Sequence, residues 1–158
     1  MTRQLITSWS DYQKALDAVL SRAGTSLLIY DADLAALKLE DAGRLEHIER
    51  LLAPARHIAL RLMLRRSERL QADHPRLFAL LMRFQHVAEV HTAPEALSHL
   101  RDSIVLADGQ HALVRFEESQ ARSVLLEDAP EACRPYGNRF EEIWNQGSQP
   151  IAFLTLGL

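Results

Sequence analysis

The segment RDSIVLADG spans residues 101–109, and HALVRF follows it at residues 111–116. A polar triplet leads into an apolar run, which ends at an Asp-Gly pair before a second strand-like run begins. An Asp-Gly pair between two such runs is a strong signal for a tight turn. The two-residue gap at Gly109-Gln110 therefore predicts a β-hairpin.

Outside this hairpin, the apolar periodicity alternates between helix and strand and then changes to consecutive strands. Before the hairpin we expect a helix capped by Ser10 or Asp11, a strand at residues 26–30, a helix from Asp41, a strand at 57–64, a helix capped by Asp73 and a strand at 87–91. From the hairpin onward we expect strands at 103–108, 111–117 and 122–127, a helix opened by Pro130, and an edge strand or tail at 151–156. This order predicts the α/β class: a single domain, residues 1–158, with a mixed β-sheet flanked by helices on both faces.

Composition limits the class of protein. The chain has 158 residues, 47% hydrophobic and 25% charged, which is typical of a globular domain. Its net charge of −3 argues against broad nucleic-acid binding, a property of basic domains, so nucleic acid is disfavoured as a partner. The lone Cys133 excludes an internal disulfide. No apolar run is long enough to predict a membrane span, and the expected location is the cytoplasm.

The hairpin, together with FEEIW at residues 140–144, resembles one half of a phospholipase D-like domain. Members of that superfamily carry the pattern His-x-Lys-x4-Asp-Gly, and the chain aligns with it on Asp108-Gly109. Arg101 then stands in the place of the histidine, and Ser103 stands in the place of the lysine. The chain is most similar to an uncharacterised bacterial branch in which the catalytic pair is lost.

The resemblance implies what an active site of this type requires. In active members one histidine attacks phosphorus, a second protonates the leaving oxygen, and lysines hold the phosphoryl oxygens; two motif copies, from one chain or a dimer, build the site. Arg101 cannot be the nucleophile because a guanidinium stays protonated, and Ser103 carries no positive charge. We therefore expect a non-catalytic domain that forms a homodimer and binds an anionic ligand or a protein partner such as an acetyltransferase.

The candidate ligand-binding residues are polar positions of the motif and its approach: His99, Arg101, Asp102, Ser103 and Asp108. Arg101 could hold an anion in a bidentate contact, or it could form a buried ion pair with Asp108 that needs no ligand. The alternative function is a phosphodiesterase or nuclease whose reorganised site uses His99, Arg101 and Asp108. No cofactor and no metal site is predicted.

Two further groups of charged residues have both a functional and a structural interpretation. Asp31 and Asp33 follow a strand, where α/β sheets place ligands, and they could bind Mg²⁺ or simply turn the chain. Four arginines form a dense positive run: Arg61, Arg65, Arg66 and Arg69. We expect this run to be a solvated loop rather than a contact for phosphate or nucleic acid.

Overall fold

The computed structural model describes residues 1–153, and this part of the chain is a mixed β-sheet with helices on both faces, which confirms the predicted fold class. The strands are β1 Thr2–Ile6, β2 Leu27–Asp31, β3 Leu60–Leu64, β4 Ala88–Thr92, β5 Ser103–Ala107, β6 His111–Arg115, β7 Ser123–Glu127 and β8 Gln149–Pro150. The helices are α1 Trp9–Arg22, α2 Ala42–Leu52, α3 Leu70–Asp73, α4 Pro75–Arg83 and α5 Pro130–Asn145.

The order of strands across the sheet is β1-β7-β6-β5-β2-β3-β4-β8. Strands β2, β3 and β4 run parallel, because a helical connection after β2 and after β3 carries the chain back to the starting edge. Strands β5, β6 and β7 are antiparallel because short turns join them. Since β5 is also antiparallel to β2, the carboxyl ends of β2, β3 and β6 meet the amino end of β5 at one edge.

The core has two layers, one on each face of the sheet. Successive side chains of a strand point to opposite faces, so Ile29 packs in the layer that contains Leu16 of α1, whereas Tyr30 packs in the layer that contains Phe140 of α5. Helices α1, α2 and α4 cover the first face and α5 covers the second. No helix within residues 1–153 is both long and apolar enough to cross a membrane.

Helix starts differ from the sequence prediction in two places. The cap of α1 is Ser8, whose hydroxyl accepts a hydrogen bond from the Asp11 amide at 3.1 Å, rather than Ser10 or Asp11. The helix predicted to be capped by Asp73 is α4, which starts at Pro75 with His74 as its cap, and a short helix that was not predicted, α3, ends at Asp73. His74 between them has φ −133° and ψ 60°, because the residue before a proline avoids the helical conformation.

Strand boundaries differ as well. β1 was not predicted, because four of its five residues are exposed and leave no alternating pattern. β3 starts at Leu60, three residues later than expected, and β5 ends at Ala107. At the carboxyl end, β8 precedes the predicted element at residues 151–156; residues 151–153 form no regular element, and the others lie outside the described residues.

The hairpin turn is centred on Asp108 and Gly109, one residue earlier than predicted. Both residues have positive φ, +55° and +67°, and the Gln110 amide donates to the Ala107 carbonyl at 3.0 Å. Glycine adopts this left-handed conformation freely, and aspartate tolerates it better than most residues. The Asp-Gly pair therefore has a conformational role in the turn.

The Asp108 carboxylate fastens this turn to the loop between α1 and β2. It accepts hydrogen bonds from the backbone amides of Gly24, Thr25 and Ser26 at 2.8–3.2 Å and from the Thr25 hydroxyl at 3.0 Å. Partial burial alone would raise the pKa of Asp108, but these hydrogen bonds outweigh it and lower the pKa below its ordinary value. Asp108 is thus a structural residue at the end of β5 far from Arg101.

We expect Asp108→Asn to lower the free energy of unfolding by about 1–3 kcal/mol, because hydrogen bonds to an ionised acceptor are replaced by weaker ones. Asparagine also tolerates positive φ, so the backbone is not strained. Asp128→Asn is the matched control: its φ is +51°, but its carboxylate is 61% exposed and pairs with Arg22 at the surface. The control should change the free energy of unfolding, measured by urea unfolding, by less than about 1 kcal/mol. Equal losses of unfolding free energy in both variants would show that the hydrogen bonds of Asp108 contribute no more than a surface ion pair.

The stabilising effect of Asp108 should also depend on pH. Its folded-state pKa lies below the ordinary value of 3.8, so the unfolded chain binds the proton first as pH falls. The difference in unfolding free energy between the natural protein and Asp108→Asn should be constant between about pH 7 and 5 and should shrink below about pH 4. Urea unfolding at several pH values measures it, and a difference that grows below pH 4 would be inconsistent with a lowered pKa.

Candidate functional site

Charged residues from five segments gather at the edge where β2, β3 and β6 end and β5 begins. We call this group the sheet rim; its members are Asp31, Asp33, Arg65, Arg66, Arg101, Asp102, Arg115, Glu117, Glu118 and Arg139. Five are arginines and five are acids, so the formal charges balance. The strand directions described above explain the clustering of four segments, which enter or leave the sheet at this edge, whereas Arg139 reaches it from α5 through its ion pair with Asp102.

The inner part of the rim is a buried ion pair between Arg115 and Asp31. Their side chains are 1% and 2% exposed, and Arg115 Nη2 lies 3.0 Å from Asp31 Oδ1. The register of the hairpin pairs Arg115 with Ser103, which places the guanidinium beside the motif position expected to carry a lysine. The same guanidinium lies 5.2 Å from the centroid of the Tyr12 ring and 5.4 Å from that of Trp9.

Three buried polar atoms around this pair have no hydrogen-bond partner within residues 1–153: the Tyr12 hydroxyl, the Ser103 hydroxyl and Arg115 Nε. Burial raises the pKa of Tyr12, and the positive charge of Arg115 offsets this only in part. The phenol is therefore protonated at neutral pH and is a potential donor. An unpaired buried donor costs about 1–3 kcal/mol, so this side of the rim is polar but poorly satisfied.

The outer part of the rim is centred on the Glu118 carboxylate. Arg65 and Arg66 approach its Oε2 at 2.8 and 3.5 Å, and Arg101 approaches its Oε1 at 3.0 Å. The partial burial of Glu118 would raise its pKa, but the arginines outweigh this effect and lower it. Arg101 also pairs with Glu117 at 2.7 Å, and Arg66 pairs with Asp33 at 3.3 Å.

Arg65 is the most firmly held of these arginines. Its side chain is 4% exposed, and Nη1 donates to the backbone carbonyls of Leu100 and Asp102 at 2.6 and 2.9 Å. The guanidinium also lies 5.3 Å from the centroid of the Tyr30 ring. Arg65 is therefore fixed before any ligand arrives, which lowers the entropy cost of binding.

The positive run at residues 61–69 does not form one solvated loop, and that interpretation is wrong for two of its members. Arg61 lies under α5, pairs with Glu141, and faces the Phe140 ring at 5.4 Å, while Arg65 is buried as described. The alternation of side chains along β3 sends both toward the same face. Only Arg66 and Arg69 are exposed by half or more.

A cavity of about 280 Å³ adjoins the rim. Its polar lining comes from Asp31, Asp33, Arg66, Arg115, Glu118 and Ser119. Glu118 thus contacts the three outer arginines and also borders this space.

The structure brings together some of the predicted site residues and separates others. Arg101 and Ser103 lie at the rim, and Asp102 pairs with Arg139 of α5, with Nη2 2.8 Å from Oδ1. His99 is exposed in the segment that leads to β5. Asp108 lies beyond the opposite end of β5 from Arg101. The five residues of β5 between them span about 16 Å at roughly 3.3 Å per residue. The ion pair considered between Arg101 and Asp108 is therefore not formed.

The positions of Arg115, Glu118 and Tyr12 at the rim were not predicted from the sequence. One signal for Arg115 was present: in the alternating run HALVRF it falls at a position that shares a face with Leu113, so a charge was pointing toward the core. The hairpin register would then have placed it opposite Ser103. No comparable signal marks Glu118, because its three partners come from separate segments of the chain.

The two acids at the carboxyl end of β2, Asp31 and Asp33, do not form an open cation site. Asp31 Oδ1 is taken by Arg115, and its Oδ2 accepts the Leu34 amide at 2.7 Å. Asp33 accepts the Ala35 amide at 3.0 Å and pairs with Arg66. In the described part of the chain, no group of three or more His, Cys, Asp or Glu side chains is arranged to hold a metal ion.

Solved structures similar to this one share its fold at low sequence identity. TrmBL2, an archaeal chromatin protein with a novel mode of DNA binding, has a TM-score of 0.65 and 14% identity over 96% of this chain; the chain spans 54% of that protein's length. Nuc from Salmonella typhimurium, a phospholipase D family member, has a TM-score of 0.63 and 11% identity over 95% of this chain and 97% of its own. NucT from Helicobacter pylori has a TM-score of 0.63 and 9% identity over 95% and 99%.

The expected set of partners needs correction. We expected nucleic acid to be disfavoured, but a DNA-binding chromatin protein shares this fold, so the overall charge of −3 does not exclude a nucleic-acid partner. Net charge averages over the whole surface, whereas phosphate contacts depend on where individual arginines lie. The other expected partners, a second copy of the chain and an acetyltransferase, are not established.

These comparisons confirm the resemblance to phospholipase D-like proteins at the level of the fold. No protein with a curated description matches the chain. A family model described as Domain of unknown function (DUF7931) matches residues 8–156. The chain therefore belongs to the DUF7931 family and has a phospholipase D-like fold.

Proposed function

We propose that this domain binds a phosphate-type anion at the sheet rim and does not hydrolyse it. The observation that carries the proposal is the convergence of Arg65, Arg66 and Arg101 on one carboxylate, that of Glu118. Guanidinium groups hold carboxylates and phosphates by the same charge-assisted hydrogen bonds. A position between guanidinium groups that accommodates a carboxylate is therefore also suited to a phosphate.

Access to the rim is consistent with a binding role. The side chains of Arg66 and Arg101 are 50% and 49% exposed, so a ligand can reach them from solvent. Arg65 supplies a third guanidinium that is already fixed by backbone carbonyls. One rigid and two accessible cations are a suitable arrangement for capturing an anion with limited loss of side-chain entropy.

The motif positions favour binding over catalysis. Arg101 cannot accept a proton at any working pH. Ser103 is buried and has no hydrogen-bond partner in the described part of the chain, so no base is in place to activate its hydroxyl. Neither residue supplies the nucleophile that the active pattern requires.

The phosphate group could belong to a nucleic-acid backbone or to a small molecule. The similarity of fold to a DNA-binding chromatin protein supports testing a nucleic-acid backbone. The small number of arginines at the rim is equally compatible with the phosphate of a small molecule. The chemistry shared by both is a phosphoryl group with non-bridging oxygens that face guanidinium donors.

We expect inorganic phosphate to bind the natural protein and Arg66→Ala or Arg101→Ala to weaken its affinity about threefold to tenfold, since each variant loses one charge-assisted contact. Arg69→Ala is the matched control, because Arg69 is exposed and, within residues 1–153, forms an ion pair only with Asp73 one turn along. Chemical-shift titration by NMR measures the affinities. Equal affinity in all four proteins, or no binding by any, would overturn the proposal.

A single-stranded oligonucleotide titrated in parallel distinguishes the two sources. Binding that falls in both rim variants but not in the control identifies a nucleic-acid backbone as the source of the phosphate. Binding of inorganic phosphate without binding of the oligonucleotide identifies a small phosphorylated molecule instead.

We also expect no cleavage of a chromogenic phosphodiester by the natural protein, because the rim lacks an activated nucleophile. Release of the chromophore, followed by absorbance, measures this. Cleavage that disappears in His99→Ala, while phosphate binding is retained, would establish the alternative, a phosphodiesterase with a reorganised site.

A further inference from the structure

Glu118 occupies the centre of the rim arginines from a loop, not from a strand. It lies in residues 116–122 between β6 and β7, and its side chain is 17% exposed. Its backbone carbonyl accepts a hydrogen bond from Arg115 Nη1, so the main chain is anchored while the carboxylate projects toward Arg65, Arg66 and Arg101. The anchoring contact does not involve the carboxylate and can persist if the carboxylate moves.

We propose that the Glu118 carboxylate is an internal occupant of the anion site and that a terminal phosphate group, that of a phosphate monoester, displaces it. This inference rests on the proposed function, because it concerns the same three arginines. Glu118 keeps the arginines paired when no ligand is bound, and the ligand must compete with it.

The number of oxygens explains why a monoester is favoured. The two oxygens of Glu118 serve three arginines: Oε2 contacts Arg65 and Arg66, and Oε1 contacts Arg101. A phosphodiester has two non-bridging oxygens and one negative charge, as a carboxylate does, so replacing Glu118 by a diester gains little. A monoester has three acceptor oxygens and a charge of about −1.5 to −2 at neutral pH, so each arginine can receive an oxygen of its own.

The structure provides room for the displaced side chain. Glu118 borders the cavity of about 280 Å³, together with Ser119, and it can turn toward this space or toward solvent. The flanking loop residues Phe116, Ser119 and Gln120 are exposed or half-buried, so little apolar packing opposes the movement. Displacement therefore requires a side-chain rotation and no change in the sheet.

The test uses methyl phosphate and dimethyl phosphate, which differ by one methyl group, and the full chain as the natural protein, Glu118→Gln and Glu117→Gln. Glu117→Gln is the matched control: it removes the same charge from the neighbouring position, but Glu117 pairs with Arg101 alone. NMR titration of each protein with each probe gives six affinities. Thermal unfolding of the three proteins verifies that each is folded.

We expect Glu118→Gln to bind methyl phosphate about tenfold more tightly than the natural protein and Glu117→Gln to gain about twofold, since only Glu118 bridges all three arginines. The natural protein should prefer methyl phosphate to dimethyl phosphate. Adding Arg101→Ala to Glu118→Gln should remove most of the gain, which locates the effect at the rim.

The outcomes separate this inference from the proposed function. Equal affinity of the natural protein and Glu118→Gln for methyl phosphate, with binding still weakened by Arg101→Ala, would overturn the internal-occupant role and leave anion binding intact. Tighter binding of dimethyl phosphate than of methyl phosphate would overturn the preference for a terminal phosphate. No binding of either probe by any of the proteins would overturn the proposed function and this inference together.

Discussion

The buried ion pair between Arg115 and Asp31 is the interaction on which the rim depends. It joins β6 to the end of β2 across β5, which lies between them in the sheet. Removing either partner would leave an uncompensated charge in the interior, at a cost of about 3–5 kcal/mol. The pair also sets the position of the following loop, because Arg115 donates to the Glu118 carbonyl, and this loop carries the two acids that meet the outer arginines.

The two ends of β5 have different roles, and this explains how the Asp-Gly pair can be present without a catalytic pair. At the carboxyl end, Asp108 holds three backbone amides and Gly109 supplies a left-handed conformation, and both contributions concern the fold. At the amino end, Arg101 and Ser103 stand where the pattern has histidine and lysine. Arg101 is positively charged but cannot act as a nucleophile, and further positive charge at this end comes from Arg65 and Arg66 after β3 and from Arg115 on β6.

Much of the fold could be predicted because its signals are local. The Asp-Gly turn specified the β5–β6 hairpin, and strand–helix alternation specified the parallel strands β2 to β4. β1 could not be found in this way, because an edge strand with a single buried residue has no apolar pattern. Pro75 was predicted to lie in the first turn of a helix and α4 does start there, whereas α3, which is only four residues long, was not predicted.

The site was less predictable because its contacts are long-range. Arg101 was identified from the motif, yet its partners Glu117 and Glu118 lie sixteen and seventeen positions further along the chain, and the expected partner Asp108 lies at the wrong end of the strand. The length of β5 alone keeps Arg101 and Asp108 apart, since side chains at the two ends of a five-residue strand cannot meet. The convergence of Arg65 and Arg66 with Arg101 depends on the antiparallel placement of β5 next to β2, which no local pattern reveals.

In the proposed binding mode, a phosphate-type anion replaces the Glu118 carboxylate between the rim arginines. A crystal structure of the natural protein soaked with tungstate, a heavy analogue of phosphate, would test this directly by its anomalous signal. We expect an anomalous peak in contact with Arg65, Arg66 and Arg101, with the Glu118 side chain turned away from them. A Glu118 carboxylate still bound to all three arginines, with no anomalous peak at the rim, would contradict it.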